Sequence, residues 1–566
     1  MLTTTKKAVR ILTSLFVKHQ IREVVLSPGT RNAPLLVALE REPRINTKLV
    51  IDERSAGFVA LGESCGMGNK PVAMVCTSGT APLNYAPAVA EAYYRRVPLI
   101  VVTADRPAQW IDQSDSQTIR QPGIYANFIK ASFDIPAEDG SAEQLVYINR
   151  MINDALITAV SGTPGPVHIN MQLDDPLGEL EEVDDSDTCG EDTRYTGYIG
   201  SKPELDGEVI SCLLRRMPAE RNILILLGFM PPRGLEQALR KIAEWPNVVV
   251  MHEAQSNVSG EKLISNIDAT LSQIHDRKDK PYSPDLVITI GGSMTSNMVK
   301  AWLRSIKGLE HWHIGRDRKI QDTFRCQSLV IESTPQSFLD ELVKLKCKGH
   351  SEDSQYKRAW LNAYDNAKTK ADKWAFRCPW SDFKAMHTVM NWMPRWNLQL
   401  SNGTAVRYAQ LFKNNRALRT ECNRGVSGID GCTSTAIGFA AVSKAPTLTI
   451  TGDMSMQYDI GALACTFIPP SFRIIVLNNG GGGIFRFIKT TRNLAELDKD
   501  FVADVRLPLA KLAEGYGMDH YVAEDEESLK LALKKLEKET GRPAILEIKT
   551  DGAVSARTLT EYFKTN

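Results

Sequence analysis

Short apolar runs alternate with amphipathic helical stretches along most of this 566-residue chain. Residues 5–19 carry apolar side chains at helical spacing, and runs of aliphatic and β-branched residues follow without polar alternation. Runs of that kind are typical of strands buried on both faces of a parallel sheet. The helical stretches between most of them predict an α/β organisation with a mainly parallel sheet. In the first third of the chain the predicted strands are residues 23–26, 48–51, 72–76, 99–103 and 167–170.

The same alternation continues in two later parts of the chain. An acidic, glycine-punctuated stretch after Asp174 and a charged helical stretch at about 350–377 separate the parts. Because a chain of this length exceeds what one core can bury, we predict three doubly wound α/β domains with mainly parallel sheets, at residues 1–185, 200–348 and 375–566. Strand-like runs occupy residues 223–228, 248–253, 285–293, 446–451 and 473–477, and an apolar helical pattern occupies 454–467.

The two predicted strands of the last part end in polar residues. Gly452 and Asp453 follow the first strand, and Asn478 and Asn479 follow the second, ahead of four glycines at 480–483. The carboxyl and amide oxygens of Asp453 and Asn479 are hard ligands that suit Mg²⁺. Free N–H groups at the start of the intervening helix predict an anion site. An ordinary βαβ unit with a turn aspartate and an Asn-Gly loop is the alternative interpretation.

Charge balance and cysteine usage exclude several classes of protein. The 68 lysines and arginines nearly cancel the 67 aspartates and glutamates, so no global positive field favours nucleic acid or an anionic membrane. Any anion binding must then be local. The N-terminus lacks a signal pattern, no apolar run reaches membrane-spanning length, and the ten cysteines form neither a C-x-x-C pair nor a zinc pattern. We expect a soluble, cytoplasmic protein without nucleic-acid or membrane partners.

Further candidate residues follow the predicted strands of the first domain. Arg31 and Arg106 present guanidinium groups that suit carboxylates, although each alone is typical of a loop-bracing arginine. Gln117 and Arg120 lie in a polar loop that could cover a ligand. The segments at the strand ends, where parallel sheets bind ligands, are SPGTR (27–31), DER (52–54), TSGT (77–80) and TADRP (103–107).

Glu53 and two later arginines complete the set of candidates. Glu53 follows the second predicted strand and precedes a helix; taken alone, Asp52 would cap this helix and Glu53 would favour its first turn. In the last domain, Arg407 lies in SNGTAVR, and Arg424 lies in CNRGVSGIDG, ahead of a small-residue helix that starts near Thr433. Ordinary glycine-turn chemistry explains the second segment equally well.

A strand ending in Gly-Asp, a helix and a strand ending in Asn-Asn resemble the diphosphate and metal motif of thiamine diphosphate enzymes. Asp453 and Asn479 are 26 positions apart (479 − 453), within the usual range of that motif, although Met454 stands where glycine is usual. Coupled to this motif, Glu53 stands where these enzymes place the carboxyl group that hydrogen-bonds the aminopyrimidine ring and activates the cofactor. Burial is expected to raise the pKa of Glu53 and so to help it share a proton with that ring.

The whole set of segments resembles one family of these enzymes. SPGTR, DER, TSGT, ADRP, IRQPG, NRGVSGIDG, the GDMS segment and NNGGGGIF occur in the order, and near the spacing, of the 2-succinyl-5-enolpyruvyl-6-hydroxy-3-cyclohexene-1-carboxylate synthases of menaquinone biosynthesis. The similarity covers both outer domains and is weaker in the middle one. It implies a pyrimidine-binding first domain, a central domain without cofactor and a diphosphate-binding last domain. It also implies a homodimer or a dimer of dimers with active sites between two chains.

The resemblance assigns a role to each candidate residue, with Glu53 as the catalytic group. The implied cofactor-binding residues are Glu53, Thr80, Ile429, Gly452, Asp453, Met454, Ser455 and Asn479, among which Ile429 would support the bent cofactor. The implied ligands of Mg²⁺ or Mn²⁺ are Asp453, Asn479 and the Gly481 carbonyl. The implied substrate-binding residues are Arg31, Arg106, Gln117, Arg407, Arg424, Ile484 and Phe485.

The implied reaction is a carboligation that depends on thiamine diphosphate. 2-Oxoglutarate would lose CO₂, and the succinyl carbanion equivalent would add to isochorismate. Three positions depart from the family pattern and concern the placement of isochorismate. Asn297 stands where a lysine is usual, with Lys300 a turn later; Gly403 replaces a serine; and Ser116 replaces the asparagine of some members.

Three other functions stay open at this point. Another thiamine diphosphate-dependent 2-oxo acid decarboxylase or carboligase is the nearest alternative, although the paired-histidine motif of the simple decarboxylases is not visible. A non-catalytic protein would keep the fold and bind the cofactor as a structural element. A dinucleotide-dependent oxidoreductase is disfavoured, because the chain has no convincing G-x-G-x-x-G fingerprint.

Overall fold

The strands of the described residues form three six-stranded sheets and one small antiparallel pair. The computed structural model describes residues 1–183, 193–201, 203–274, 277–345, 353–412, 416–504 and 507–564. The ends predicted for the domains at 185, 348 and 566 lie outside these residues, as do the last part of the predicted acidic linker and residues 350–352 of the predicted connector. Among the described residues, no helix is both long enough and apolar enough to cross a membrane.

The chain divides into two compact units, of which the first contains one six-stranded sheet and the second contains the other two. The first unit comprises Met1–Gly200, Gly425–Ala445 and Tyr458–Phe472. The second comprises Ser201–Arg424, Pro446–Gln457 and Arg473–Asn566. The parallel pairing within each six-stranded sheet, with helices between successive strands, confirms the predicted fold class.

The first sheet has the strand order β3-β2-β4-β5-β7-β6, and its neighbouring strands are parallel. Its apolar residues pack against α1, α2 and α5 on one face. The elements are β1 (Leu2–Thr4), α1 (Lys7–Lys18), β2 (Glu23–Leu26), α2 (Ala33–Arg41), β3 (Asn46–Leu49), α3 (Glu53–Gly66), β4 (Val72–Cys76), α4 (Ala81–Arg95), β5 (Leu99–Asp105), β6 (Ser132–Ile135), α5 (Ala142–Val160), β7 (Val167–Gln172) and β8 (Leu180–Glu182).

The second sheet has the strand order β11-β10-β9-β12-β13-β14. Its central strands are almost wholly buried, as their continuous apolar sequences predict. The elements are α6 (Gly207–Arg215), β9 (Ile223–Leu227), α7 (Glu236–Ala243), β10 (Val248–His252), β11 (Leu263–Ile264), α8 (Ile267–Gln273), β12 (Leu286–Ile290), α9 (Asn297–Arg304), β13 (Glu310–Gly315), β14 (Gln327–Glu332) and α10 (Pro335–Leu345).

The third sheet has the strand order β16-β15-β17-β18-β20-β19. A 3₁₀ turn at Ile460–Ala464 and another at Gly483–Arg486 flank β18. The elements are α11 (Gln355–Arg377), α12 (Asp382–Trp392), β15 (Asn397–Leu400), α13 (Thr404–Ala409), β16 (Arg419–Cys422), α14 (Cys432–Val442), β17 (Thr447–Gly452), α15 (Asp453–Tyr458), β18 (Phe472–Asn478), α16 (Leu509–Gly515), β19 (Asp519–Ala523), α17 (Glu526–Leu536), β20 (Ala544–Lys549) and α18 (Gly552–Lys564).

One predicted helix is wrong in length. The apolar pattern at 454–467 predicts a continuous helix, whereas α15 ends at Tyr458 and only a 3₁₀ turn follows. The physical reason is Asp459, whose buried carboxylate accepts hydrogen bonds from the backbone N–H (2.6 Å) and hydroxyl (2.7 Å) of Ser434. These bonds hold the chain at the point where a regular helix would have to continue, because aspartate competes well for donors outside its own helix.

Helix α11 is the predicted charged connector, and one of its lysines is buried. Lys357 is only 1% exposed, and its Nζ donates to the carbonyl oxygens of Ala243 and Trp245. The same ammonium lies 2.9 Å from a carboxylate oxygen of Asp353. Because a buried ammonium needs such partners, this lysine fixes the start of α11 to the end of α7.

Two helices of the first unit touch at backbone level. A Cβ added to Gly62 of α3 would lie 2.0 Å from the carbonyl oxygen of Thr435, and one added to Gly438 of α14 would lie 2.0 Å from that of Val59. Residues 55–65 of α3 are all buried, as expected for a helix that is packed on every side. Glycine at both positions is what permits this approach.

Gly62→Ala is expected to destabilise the protein by about 3 kcal/mol or more, because a methyl group cannot fit against backbone atoms that cannot rotate away. Thermal unfolding measures the loss as a lower Tm. Gly515→Ala is the matched control, since Gly515 also lies in a helix but has open space where its Cβ would be. Equal Tm values for Gly62→Ala and the wild type would contradict the close helix contact.

The buried carboxyl group of Asp459 predicts a pH dependence of stability. Burial raises the pKa of Asp459 to about 6, although the bonds from Ser434 lower it, whereas an unfolded aspartate titrates near 3.9. Protons therefore bind more tightly to the folded form, so the stability contributed by this group is complete below about pH 4 and is lost as the pH rises through 6.

Asp459→Asn removes this titration and keeps both hydrogen bonds, because the amide can accept from the Ser434 N–H and donate to its hydroxyl oxygen. From pH 5 to pH 8 the variant is expected to gain about 1.5 kcal/mol of unfolding free energy relative to the wild type. Unfolding curves recorded across this range test the expectation. A difference between the two proteins that does not change with pH would refute it.

Candidate active site

Asp453 joins the end of β17 to the loop after β18 in the second unit. Its Oδ2 accepts hydrogen bonds from the backbone N–H groups of Asn479 (3.1 Å), Gly480 (2.9 Å) and Gly481 (2.8 Å). Its Oδ1 accepts one from the N–H of Met454 (2.8 Å). Burial raises the pKa of Asp453, and these four bonds act in the opposite direction because they favour the ionised form.

Asn479 has its amide nitrogen and its amide oxygen in different surroundings. The Nδ2 donates to Oδ2 of Asp382, the first residue of α12, at 2.7 Å. The Oδ1 is buried and has no hydrogen-bond partner among the described residues. The other oxygen of Asp382 accepts from the hydroxyl of Thr550 at 2.5 Å, and burial raises the pKa of Asp382 to about 6.

The glycine run after β18 is a tight loop. Gly481 has a φ of +115°, and a Cβ on it would lie 2.1 Å from the carbonyl oxygen of Val502, so only glycine is accommodated. Ile484 and Phe485 follow in the 3₁₀ turn, where both are half-buried. The ring of Phe485 packs against that of Phe501 with 5.5 Å between centroids.

These groups fit a divalent cation bound through oxygen. The Oδ1 of Asp453 accepts only one of the hydrogen bonds above, so it retains a lone pair, and Oδ1 of Asn479 is a buried acceptor without a donor. Leaving such an acceptor unpaired costs about 1–3 kcal/mol, and a cation would remove that cost. Carboxylate, amide and loop carbonyl oxygens are also the donor types that Mg²⁺ and Mn²⁺ prefer.

The residues at the start of α15 differ in how accessible they are. Ser455 is buried, whereas Gly452 and Met454 are partly exposed. The N–H of Met454 already donates to Asp453, so it is not among the N–H groups offered to an anion.

Glu53 is the first residue of α3 in the first unit. Asp52 caps this helix through its Oδ1, which accepts from the N–H of Arg54 at 3.0 Å, so the expected cap is present. Glu53 is half-buried and does not act as the cap. Burial raises the pKa of Glu53, and the charge of Asp52 raises it further. Its carboxyl group therefore holds a proton at a higher pH than an ordinary glutamate.

The structure brings Arg31 and Arg106 together at the ends of β2 and β5. Arg31 is 9% exposed and donates from Nη1 to the Leu173 carbonyl at 3.0 Å. Burial lowers the pKa of Arg31, and the positive charge of Arg106 lowers it further. Arg106 is held by a carboxylate oxygen of Asp115 at 2.8 Å and by the carbonyl oxygen of Ser116.

Gln117 lies close to Gly79, the residue that precedes Thr80. Gln117 has a φ of +57°, and a Cβ on Gly79 would lie 3.1 Å from its Cγ. Thr80 is exposed and immediately precedes α4. Arg120 is largely exposed and pairs with Asp112.

Two buried side chains that organise these loops were not among the sequence candidates. Gln121 accepts from the Gly79 N–H (2.9 Å) and donates to the Ala104 carbonyl (3.0 Å), so it joins the loop after β4 to the end of β5. Glu91 of α4 accepts from the N–H groups of Gly425 (2.7 Å) and Val426 (2.6 Å). Gln121 lies within the IRQPG segment, but nothing in the sequence near Glu91 indicates its distant partners.

The segment anchored by Glu91 leads to Ile429, which is half-buried just before α14. Both the anchor and the helix belong to the first unit. Ile429 is therefore held from two sides, by Glu91 before it and by the buried helix after it.

A cluster of cations lies in the second unit, formed by Arg407, Arg424 and Lys300. Arg424 is 8% exposed; its Nη1 donates to Oδ1 of Asn402 at 2.9 Å, while its Nε is buried without a partner among the described residues. Arg407 donates to the Gly403 carbonyl. Burial lowers the pKa of Arg407, and the charge of Arg424 lowers it further.

Lys300 of α9 belongs to the same cluster, and Asn297 is the first residue of that helix. Burial lowers the pKa of Lys300, the charge of Glu253 opposes this, and the charges of Arg424 and Arg407 add to the lowering. Glu253, which was also missed from the sequence, is buried and accepts from the N–H groups of Thr295 and Ser296 just before α9.

Two family models match the outer parts of the chain. The thiamine pyrophosphate enzyme N-terminal TPP binding domain matches residues 6–124, and the C-terminal TPP binding domain matches residues 401–548. Benzoylformate decarboxylase from Polynucleobacter necessarius has a similar fold, with a TM-score of 0.69 over 96% of this chain and 98% of that one. Because the two sequences are only 16% identical, this similarity supports the fold assignment alone.

Relatives that match over almost their whole length share one name, 2-succinyl-5-enolpyruvyl-6-hydroxy-3-cyclohexene-1-carboxylate synthase. The protein from Porphyromonas gingivalis is 39% identical over 99% of this chain and 97% of its own length. That from Flavobacterium psychrophilum is 38% identical over 96% of both, and that from Bacteroides fragilis is 35% identical over 99% and 98%. The chain therefore belongs to the 2-succinyl-5-enolpyruvyl-6-hydroxy-3-cyclohexene-1-carboxylate synthase family of thiamine diphosphate enzymes.

Proposed function

We propose that this protein decarboxylates 2-oxoglutarate and adds the remaining succinyl unit to isochorismate, as a step of menaquinone biosynthesis. The name shared by its relatives describes a cyclohexene that carries succinyl, enolpyruvyl, hydroxyl and carboxylate groups. Loss of CO₂ from 2-oxoglutarate leaves the four-carbon succinyl unit, and isochorismate supplies the ring with the other three groups. Atoms balance with CO₂ as the only other product.

The observation that carries the choice of substrates is the burial of like-charged arginines in both units. Arg31 lies near Arg106 in the first unit, and Arg407 lies near Arg424 in the second; in each pair one charge disfavours the other. Asp115 offsets part of this repulsion in the first pair, and Asp268 and Glu253 do so in the second. Paired guanidinium groups of this kind favour the binding of carboxylates. Both substrates of the proposed reaction carry two carboxylates.

Thiamine diphosphate, when bound, supplies a carbon nucleophile and an electron sink for decarboxylation. We infer that Glu53 holds a proton at its carboxyl group and hydrogen-bonds the pyrimidine ring, which its raised pKa favours. Asp453, Asn479 and the Gly481 carbonyl would bind Mg²⁺ or Mn²⁺. The remaining proposed contacts to the cofactor come from Thr80, Ile429, Gly452, Met454 and Ser455.

The substrates would bind through the arginine pairs and nearby groups. Gln117, next to Gly79, would hydrogen-bond a substrate carboxylate from the first unit. Ile484 and Phe485 would provide the apolar wall beside the ring of isochorismate. Lys300 would supply the cation that Asn297 does not, since it belongs to the cluster with Arg407 and Arg424.

We also propose a homodimer or a dimer of dimers, with active sites at the subunit interface. Leu83, Tyr94 and Val426 of the first unit are about half exposed (48, 57 and 55%), which supports a surface covered by another subunit. The proposed division is a pyrimidine-binding domain at 1–185, a central domain at 200–348 without cofactor and a diphosphate-binding domain at 375–566. The proposed location is the cytoplasm.

The decisive experiment follows the absorbance of isochorismate with purified protein, 2-oxoglutarate, thiamine diphosphate and Mg²⁺, omitting each in turn. Loss of absorbance that requires every component is the expected result. Decarboxylation of 2-oxoglutarate with isochorismate left untouched would mean that the acceptor is a different molecule. No reaction in the complete mixture would overturn the proposed activity.

Glu53→Gln is expected to reduce turnover at least 100-fold while thiamine diphosphate binding, measured by calorimetry, changes little, because the amide keeps the shape but cannot exchange the proton. Asp52→Asn is the matched control: asparagine still caps the helix, so turnover should stay within a few-fold of the wild type. Equal activity of Glu53→Gln and the wild type would remove Glu53 from the reaction.

Lys300→Ala is expected to raise the KM for isochorismate about 10-fold or more, since a charge-assisted bond contributes about 1.5–3 kcal/mol. The KM for 2-oxoglutarate should stay within about twofold. Lys307→Ala, at an exposed lysine just beyond α9, serves as the control for a change of net charge. If both KM values stay unchanged in Lys300→Ala, Lys300 does not bind isochorismate.

A further inference from the structure

The amide of Asn479 can point in two ways, and its neighbours select one of them. Its nitrogen lies 2.7 Å from Oδ2 of Asp382, and Asp382 is 1% exposed. The amide nitrogen is the donor of this bond and the carboxyl oxygen accepts it, so the contact holds the amide with its nitrogen toward Asp382. The oxygen is thereby directed away from Asp382, where it is buried without a partner among the described residues.

Asp382 is itself fixed from two further sides. Its Oδ1 accepts from the hydroxyl of Thr550, and its backbone N–H donates to the hydroxyl oxygen of Ser555 at 3.0 Å. Gly483 lies next to the amide, since a Cβ added to it would lie 3.0 Å from Nδ2 of Asn479. Rotation of the Asn479 amide is intrinsically soft, so without Asp382 either end could face the cation.

We propose that Asp382 is a positioning residue of the metal site, which it serves by presenting the Asn479 oxygen, and not the nitrogen, to the cation. It acts through Asn479 and does not touch the metal, the cofactor or a substrate. The inference rests on the proposed function, because that proposal makes Asn479 a metal ligand. An NH₂ group cannot ligate Mg²⁺ or Mn²⁺, so the reversed amide would remove one ligand.

The neighbouring asparagine provides a matched control. Asn478 makes the same kind of bond, from Nδ2 to Oε1 of the buried Glu547 at 2.7 Å, but Asn478 is not a proposed ligand. Glu547→Ala and Asp382→Ala therefore each remove a buried carboxylate from one asparagine at the end of β18. Only Asp382→Ala is expected to weaken binding of the cation.

The test is the affinity for Mn²⁺ in the presence of thiamine diphosphate, read from the paramagnetic resonance signal of free Mn²⁺ without any turnover. Asp382→Ala is expected to weaken Mn²⁺ binding at least 10-fold, whereas Glu547→Ala should stay within about threefold. Asp382→Asn is expected to restore most of the affinity, because its amide oxygen can accept from Asn479 while its NH₂ donates to the Thr550 hydroxyl oxygen.

A double-mutant cycle separates positioning from general destabilisation. In an Asn479→Ala background, Asp382→Ala should cause no further loss of Mn²⁺ affinity, since its effect is transmitted through the Asn479 amide. A full additional 10-fold loss in that background would overturn the inference. If Asp382→Ala does not fold, Asp382→Asn combined with Thr550→Val takes its place: valine no longer orients the new amide, and Mn²⁺ binding should weaken several-fold relative to Asp382→Asn alone.

The outcome for the wild type distinguishes this inference from the proposed function. If wild-type protein with thiamine diphosphate binds no Mn²⁺, the proposed metal site fails. If the wild type binds Mn²⁺ and Asp382→Ala, or the substitute pair, binds it equally well, the metal site stands and the role of Asp382 is refuted.

Discussion

The backbone contact between α3 and α14 is the constraint on which the first unit depends. Gly62 and Gly438 have no side chains, so the backbones of the two helices can lie in direct contact at these positions. Glu53 begins one helix and Ile429 lies just before the other, so the contact sets the position of both ends relative to each other. A small change in the helix spacing would shift the two proposed cofactor contacts together, and interiors at native density resist such changes.

Buried carboxylates hold the loops around the proposed site in place. Asp453 accepts hydrogen bonds from three successive backbone N–H groups after β18. Glu91 accepts from two N–H groups before Ile429, and Glu253 accepts from two before α9. Each carboxylate loses hydration on burial and recovers interaction energy from several backbone donors. The loops thereby gain fixed shapes without regular secondary structure. Fixed shapes, together with the charges of Asp268 and Glu253, keep like-charged groups such as Arg407 and Arg424 near each other.

The sequence identified those parts of the fold that have a local signal. β2 and β4 were predicted with the bounds that the structure has, because their apolar runs are continuous and buried. β3 lies two residues earlier than predicted, since the apolar Leu49 and Ile51 that suggested its end are exposed at the edge of the sheet. No strand was predicted at β6, although SFDI alternates as a half-buried strand does, nor at β13, where two histidines interrupt the apolar run. β15, β19 and β20 are among the other strands that were not predicted.

In the candidate site, too, only residues marked by a local sequence signal could be predicted. Arg31, Arg106, Arg424 and the Asp453 motif come shortly after strands, so their placement at sheet ends could be inferred from the sequence, whereas Arg407 lies within α13. Asp382, Glu91 and Gln121 could not, because their partners lie 97, 334 and 42 positions away. Their roles arise from tertiary contacts that no local pattern encodes. The cofactor, metal and substrate roles of the residues that were identified stay predictions.

The buried Lys357 has a consequence for how this chain can be shortened or recombined. Its ammonium group hydrogen-bonds backbone carbonyls at the end of α7 and forms an ion pair with Asp353. A fragment that begins after α10 would contain α11 without the carbonyl partners from α7. The second sheet and α11 therefore depend on each other within the second unit. Deleting this sheet would leave α11 with a buried lysine that has lost its backbone acceptors, so the second sheet supports the folding of the helix that follows it.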